Sequence, residues 1–328
     1  MKDAVTYREA IRAALAEELR RDPNVVLIGE DIGKYGGCFK VTQGLWDEFG
    51  ADRILETPVS EEGFSGVAVG AAMMGMRPVV EIMYGDFLTL VSDQLVNHAA
   101  KTRFMSAGQL GCPLVYRIPT GSGTGHGAQH TQSLEAMFSN IPGLKIVAPS
   151  SPRDAKALLK ASIRDDDPVL FFEHKMLYSA LGPVGDESDV AEIGKADIKH
   201  VGGDVTVISY SRAVETCLEA SDMLAVEGVG VDVVDLCSLR PLDVPTILAS
   251  VRKTGRALVV HDAPAFGGFG GEVIASIVGD PETFRALKAP VRRLCGKELP
   301  VPFNAELERA IVPSAEEIVS AVTSMVAG

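Results

Sequence analysis

The sequence carries no surplus of positive charge. Lys and Arg number 31 against 44 Asp and Glu, for a net charge of −13 and a pI near 5.0. With no basic stripe to neutralise phosphates, nucleic acid is not expected as the main partner. Cysteine is scarce as well. The five present (Cys38, Cys112, Cys217, Cys237 and Cys295) are scattered, and none forms a C-x-x-C pair. That speaks against a zinc site or a disulfide framework and for a reducing compartment. Long apolar runs are missing: the longest, residues 66–76, is too short and too glycine-rich to cross a bilayer. Met1-Lys2-Asp3-Ala4-Val5 opens no apolar secretory core. Fixed-period repeats and low-complexity tracts are absent too. The expectation is a cytoplasmic protein with neither a membrane nor a nucleic acid as partner.

What is present is an α/β rhythm over 328 residues, enough for about two domains. Thr6-Tyr7-Arg8-Glu9 has the form of a capping box, followed by apolar residues at helical spacing. Short apolar runs at 25–28, 78–83, 114–118, 145–148 and 169–173 read as strands, the last closing the first domain. Between them, helices are predicted near Trp46, over 87–101 and from Pro152, a favoured first helical position. A further helix is predicted over 131–138. Near-continuous apolar strands alternating with helices indicate a parallel sheet covered on both faces. Residues 181–203 are polar and weakly periodic and are read as a linker. It separates a domain at 1–180 from one at 204–328, where the rhythm resumes with strands at 205–209, 231–236, 257–261 and 291–294.

The chain is organised around residues 57–72. Ile54-Leu55-Glu56-Thr57 is extended, and Pro58 disfavours helix at Thr57. Ser60 is placed as an N-cap. The helix after it is built from Gly and Ala, so another backbone or a flat ligand can approach closely. Glu61 falls in its first turn, where the helix dipole favours a carboxylate. Acids are common at such positions, but one entering so small-residue a helix is half buried, and buried carboxylates are paired or functional. The glycine-rich loop 119–130 lacks the Lys-Thr ending of a phosphate-binding loop. Its His126 and His130 have no nearby carboxylate to complete a metal site. His130, in a loop at a strand's carboxyl end, is an acid–base candidate; a His that only ties the loop to itself is equally compatible.

Several short motifs occur in a fixed order: Gly29-Glu30-Asp31, Gly44-Leu45-Trp46, Thr57 to Phe64, Arg77-Pro78, Ala128 to Ser133, Pro142 to Lys145 and Leu239 to Asp243. As a set, over essentially the whole chain, they resemble the beta subunit of the thiamine-diphosphate-dependent decarboxylating component of 2-oxo acid dehydrogenase complexes. The resemblance implies two doubly wound domains: an N-terminal pyrimidine-binding domain of the thiamine-diphosphate type and a C-terminal domain of the transketolase type. It implies that thiamine diphosphate is shared with an alpha subunit, which holds the magnesium and the diphosphate. The sequence is consistent with that division, because it contains no Gly-Asp-Gly of the usual diphosphate motif.

Residue by residue, the resemblance makes Glu61 the carboxylate that hydrogen-bonds the pyrimidine ring nitrogen and so promotes deprotonation of the thiazolium carbon. Phe87 stacks on the pyrimidine, and Val59 and Met83 contact the same ring. His130 lies near the reacting carbon and assists substrate and acyl transfer. Glu30 joins a polar chain between active sites. Backbone carbonyls of Leu114, Ser162, Asp165 and Asp167 correspond to a structural potassium site. The implied partners are an alpha subunit, two of each chain, a lipoyl acyltransferase core and a small 2-oxo acid. The sequence departs from the family at Tyr84-Gly85-Asp86-Phe87 and at Ala128-Gln129-His130. The first departs from the pyruvate enzymes of the family, which often show a second aromatic near residue 85. The second departs from the branched-chain enzymes and weighs against their substrates, leaving pyruvate and acetoin open, with pyruvate the leading reading. A docking scaffold is the reading outside enzymology.

Overall fold

The computed structural model describes residues 4–327. Its first helix starts as the capping box requires: Thr6 Oγ1 accepts from the Glu9 N–H, and the Glu9 carboxylate accepts from the Thr6 N–H at 2.8 Å. Helix Tyr7–Arg21 lays Tyr7, Ile11, Leu15 and Leu19, all buried, against helix Pro152–Arg164. Each such side chain is worth roughly 1.5–3 kcal/mol of burial. Pro152 occupies the first turn of its helix, and Ser151 caps it through the Asp154 N–H.

These helices cover one face of a seven-stranded sheet. From edge to edge its strands are Ser238–Arg240, Lys145–Val147, Val169–His174, Val115–Thr120, Arg77–Glu81, Val25–Gly29 and Ile54–Glu56. The six from the first half of the chain are parallel. Their side chains are buried on both faces, the condition that makes parallel strands read as continuous apolar runs. The seventh, Ser238–Arg240, comes from the second half and pairs antiparallel with Lys145–Val147. The second sheet runs Arg292–Gly296, Ala257–Pro264, Val205–Ser209, Val231–Asp235 and Asp197–His200. Only Asp197–His200 is antiparallel there. Residues 181–203 supply that strand and also Leu181–Pro183, which pairs antiparallel with Ala4–Thr6. One apolar core passes between the sheets, joining Ile146, Ala148 and Phe172 to Ile208, Val234 and Leu239.

Three local expectations are corrected. The predicted helix over 87–101 is broken: Gly85–Thr89 is a 3₁₀ turn, Gln94–Ala99 a π-helical turn, and regular α-helix holds only over Ala100–Met105. The tighter and wider turns place Phe87 outside any α-helical face, in the manner of functional sites. The helix predicted over 131–138 starts at Glu135 instead. Its first four residues are committed to the loop, since Thr131 Oγ1 donates to Gly127 O and Thr120 Oγ1 to Gln132 O. Ser60 precedes helix Glu61–Met73 but caps nothing with its side chain. Among the described residues no helix is long and apolar enough to cross a membrane.

Candidate functional site

Five strands of the first sheet end at one place. Val25–Gly29 delivers Glu30, Ile54–Glu56 leads through 57–60 to Glu61, and Arg77–Glu81 leads to Met83, Tyr84 and Phe87. Val115–Thr120 opens into the loop that carries His126 and His130, and Val169–His174 ends on Lys175. The crevice beyond the carboxyl ends is where open parallel sheets bind ligands.

The carboxylates lie deep. Glu61 is 8% exposed and Glu30 6%. Glu61 sits in the first turn of helix Glu61–Met73 and makes no side-chain hydrogen bond to another described residue. Burial first, then the Glu61 and Asp31 charges, push Glu30 up to about 7, while the Ser60 N–H facing it works the other way. Glu30 Oε1 is buried with no hydrogen-bond partner. Two acids with coupled charges, one of them with a buried oxygen that has no partner, are poised to hold or pass a proton.

Above them stands an aromatic cluster. The Tyr84 and His130 rings meet edge to face at 4.6 Å, Phe87 and His130 at 5.4 Å, and Tyr84 and Phe87 at 5.8 Å. Phe39 closes the back at 5.7 Å from Tyr84. His126 adds a ring 5.5 Å from Tyr84. Burial, and next the Lys175 ammonium, hold the His126 imidazole below its ordinary value. Lys175 itself is lowered to about 8 by burial, and its Nζ donates to the His130 carbonyl. Beneath the cluster, Arg117 is buried at the centre of the sheet. It holds Glu173 by two bonds of 2.8 Å, Tyr178 donates to the same carboxylate, and Glu81 pairs with the guanidinium from the neighbouring strand. This network joins three strands under the site floor.

Of the residues singled out in the sequence, Glu30, Glu61, Phe87, Met83 and His130 converge at this crevice. Val59 lies at its lip, 79% exposed, and Phe87 and Met83 are only partly covered. Leu114, Ser162, Asp165 and Asp167 gather elsewhere, at the turn between helix Pro152–Arg164 and strand Val169–His174. There Leu114 O accepts from the Val169 N–H, Ser162 O from the Asp165 N–H, and Asp165 O from Arg77. The Asp165 carboxylate holds the Lys145 ammonium at 2.6 Å, and Asp167 pairs with Arg103 at 2.5 Å. Each carbonyl keeps a second lone pair, so an ion here would be held by backbone alone. Sequence reasoning missed Tyr84, Lys175 and the Glu81–Arg117–Glu173 set as site residues. The signal was there: charged residues inside otherwise apolar parallel strands, and a lysine directly after one.

The family described as transketolase, pyrimidine binding domain matches residues 3–180, and transketolase, C-terminal domain, matches residues 194–318. The pyruvate dehydrogenase E1 component subunit beta-2, mitochondrial, of Oryza sativa subsp. japonica is 46% identical over 97% of this chain and 85% of its own. The pyruvate dehydrogenase E1 component subunit beta of Rickettsia bellii is 42% identical over 97% of both chains. That of Rhizobium meliloti is 43% identical over 98% of this chain and 70% of its own. A solved structure described as a split gene transketolase, inactive beta4 tetramer, superimposes with a TM-score of 0.81 at 21% identity over 98% of each chain. That likeness is one of fold.

Proposed function

The chain belongs to the family of pyruvate dehydrogenase E1 component beta subunits, built from a transketolase pyrimidine-binding and a transketolase C-terminal domain, and from that premise we propose how its half-site works. It serves as the beta subunit of a decarboxylating 2-oxo acid dehydrogenase component, with pyruvate as substrate. The observation that carries this reading is a buried Glu61, its charge coupled to that of Glu30, at the strand ends that also carry the partly covered Met83 and Phe87 and the exposed Val59.

Thiamine diphosphate, when bound, supplies the nucleophilic carbon and the electron sink for decarboxylation. The residues fit its aminopyrimidine. Phe87 and Met83 offer partly covered apolar surface to a flat ring, and Val59 closes the lip. Glu61 presents a carboxylate oxygen for a charge-assisted hydrogen bond to a ring nitrogen. Glu30, raised to about 7, holds a proton beside Glu61 near neutral pH. His130, braced by Tyr84 and Phe87, stands where substrate and acyl acceptor enter. An alpha chain supplies the diphosphate and magnesium ligands, two of each chain assemble, and the acyl group passes to a lipoyl domain of an acyltransferase core. A potassium ion on the Leu114, Ser162, Asp165 and Asp167 carbonyls has a structural role only.

The test is co-expression with an alpha chain and a substrate panel of pyruvate, acetoin and branched-chain 2-oxo acids. Pyruvate should be decarboxylated fastest. Faster acetoin cleavage would make this an acetoin dehydrogenase subunit. No turnover of any of them by an assembled pair would return the chain to the docking-scaffold reading.

A further inference from the structure

The second domain reaches the histidine loop through a short strap that carries Phe303 and Glu308. Residues 297–312 form a strap whose ends meet at the hydrogen bond from Lys297 N–H to Ile311 O, 2.7 Å. Within it Asn304 caps the short helix Ala305–Arg309 through the Glu306 and Leu307 N–H groups. That helix turns Glu308 inward, where it is 1% exposed. Its two carboxylate oxygens accept from the Gly123 N–H at 2.5 Å and the Gly125 N–H at 2.9 Å. The φ angles of Gly123, Gly125 and Gly127 are +108°, +69° and +75°, so the loop turns its amides inward as only glycine does without strain. Two N–H groups one residue apart thus converge on a single carboxylate, as in the anion-binding concavities that backbone amides form. The Phe303 ring lies over Gly127, where a Cβ would come within 2.6 Å of it. The same loop carries His126 and His130, and its far end is held by Lys175 on the His130 carbonyl. Glu308 and Lys175 feel each other's charge.

We propose that Glu308 is a positioning residue for the histidine loop: a carboxylate of the C-terminal domain, seated in the Gly123–Gly125 amide cradle of the N-terminal domain, sets where His130 stands. This rests on the role given to His130 above. Charge-assisted bonds of this kind are roughly twice as strong as neutral ones, and two to one carboxylate fix direction as well as distance. With the strap withdrawn, three left-handed glycines leave the loop without a preferred path. His130 then keeps its ring contacts with Tyr84 and Phe87 and the Lys175 bond to its carbonyl, but the loop that leads to it is no longer fixed.

Hydrogen exchange reads the clamp in the wild-type chain. The Gly123 and Gly125 amides should exchange far more slowly than those of Thr124 and His126 in the same loop. Equal exchange across the four overturns the proposal before any variant is made. Glu308→Gln offers one acceptor and one donor to two donors. It should speed exchange at Gly123 and Gly125 by roughly tenfold, the worth of one charged bond, while the amides of strand Val115–Thr120 stay unchanged. In the assembled enzyme the variant should lose acyl transfer to lipoyl but retain decarboxylation with an artificial acceptor. The double variant Glu308→Gln/His130→Ala should be no slower in acyl transfer than His130→Ala alone. Additive losses would show that Glu308 acts apart from His130 and overturn the proposal. If His130→Ala alone leaves acyl transfer intact, the role of His130 fails, and Glu308 fails with it as a positioning residue for transfer. The exchange data would then separate a loop clamp without catalytic consequence from no clamp at all.

Discussion

Glu61 and Glu135 are both buried acids near strand ends, and they call for opposite experiments. In the role proposed for it, Glu61 exchanges a proton with a ring nitrogen of the cofactor. Glu61→Gln keeps shape and polarity but removes that exchange, so the cofactor should still bind in the assembled pair. Activation of its reactive carbon, measured as deuterium exchange at that carbon, should slow by roughly 10²-fold or more. Exchange at the wild-type rate with cofactor bound would take Glu61 out of the mechanism. Glu135 lies away from this chemistry. Burial, with the Asp262 charge a lesser contribution, raises it to about 7, and its Oε2 has no partner. Between the ordinary value of 4.5 and 7, the folded protein keeps a proton that the unfolded chain has released. The stability this gives is full below about 4.5 and is lost as pH rises through 7. Glu135→Gln should therefore flatten the fall in stability between pH 5 and 8 and gain on the order of 1–3 kcal/mol over wild type at pH 8. Denaturant unfolding at the two pH values measures it. The Glu61 position was legible from the glycine-rich helix it begins. Glu308 was not, because its partners are backbone amides 183 and 185 residues away, and backbone donors leave no mark in composition.

Helix Glu61–Met73 shows how the sequence speaks at the scale of an element. Its buried side, Phe64, Ser65, Ala68, Val69 and Ala72, recurs at helical spacing and was readable. Its other side is bare: Gly66, Val67, Gly70 and Met73 face solvent, and nothing lies within 4 Å of where a Gly70 Cβ would stand. The neighbouring Phe104 and Met105 are exposed as well. A face this small-residued and apolar is suited to close helix contact across subunits. Gly70→Leu should therefore leave the melting of the isolated chain almost unchanged and block assembly with the alpha chain. Sedimentation of the co-expressed pair decides it, and a normal assembly would move the contact to another face. The segment after Phe87 was misread because apolar spacing alone does not distinguish α-helix from the 3₁₀ and π turns that replace it.

At the scale of the molecule, the two-domain α/β plan was legible from the alternation of apolar runs, but the seam between the domains was not. Strand Ser238–Arg240 crosses from the second half to complete the first sheet, and Arg240 donates to the Ser139 carbonyl. His174 and Asp262 approach to 3.4 Å across the same boundary. With a core that runs through both parts, the halves should melt together. Calorimetry of the isolated chain should show one transition, and two resolved peaks would mean that the seam is weaker than its contacts imply. The crossing strand has a further consequence at the ribosome. Lys145–Val147 is made early, yet its outer edge stays open until Arg240 emerges, 93 residues after Val147. At roughly 5–20 residues per second, a nascent chain carries an unpaired parallel edge for about 5–20 seconds. During that interval an exposed edge can pair with a neighbouring nascent chain on the same message, so the moment of greatest danger for this fold falls before synthesis ends.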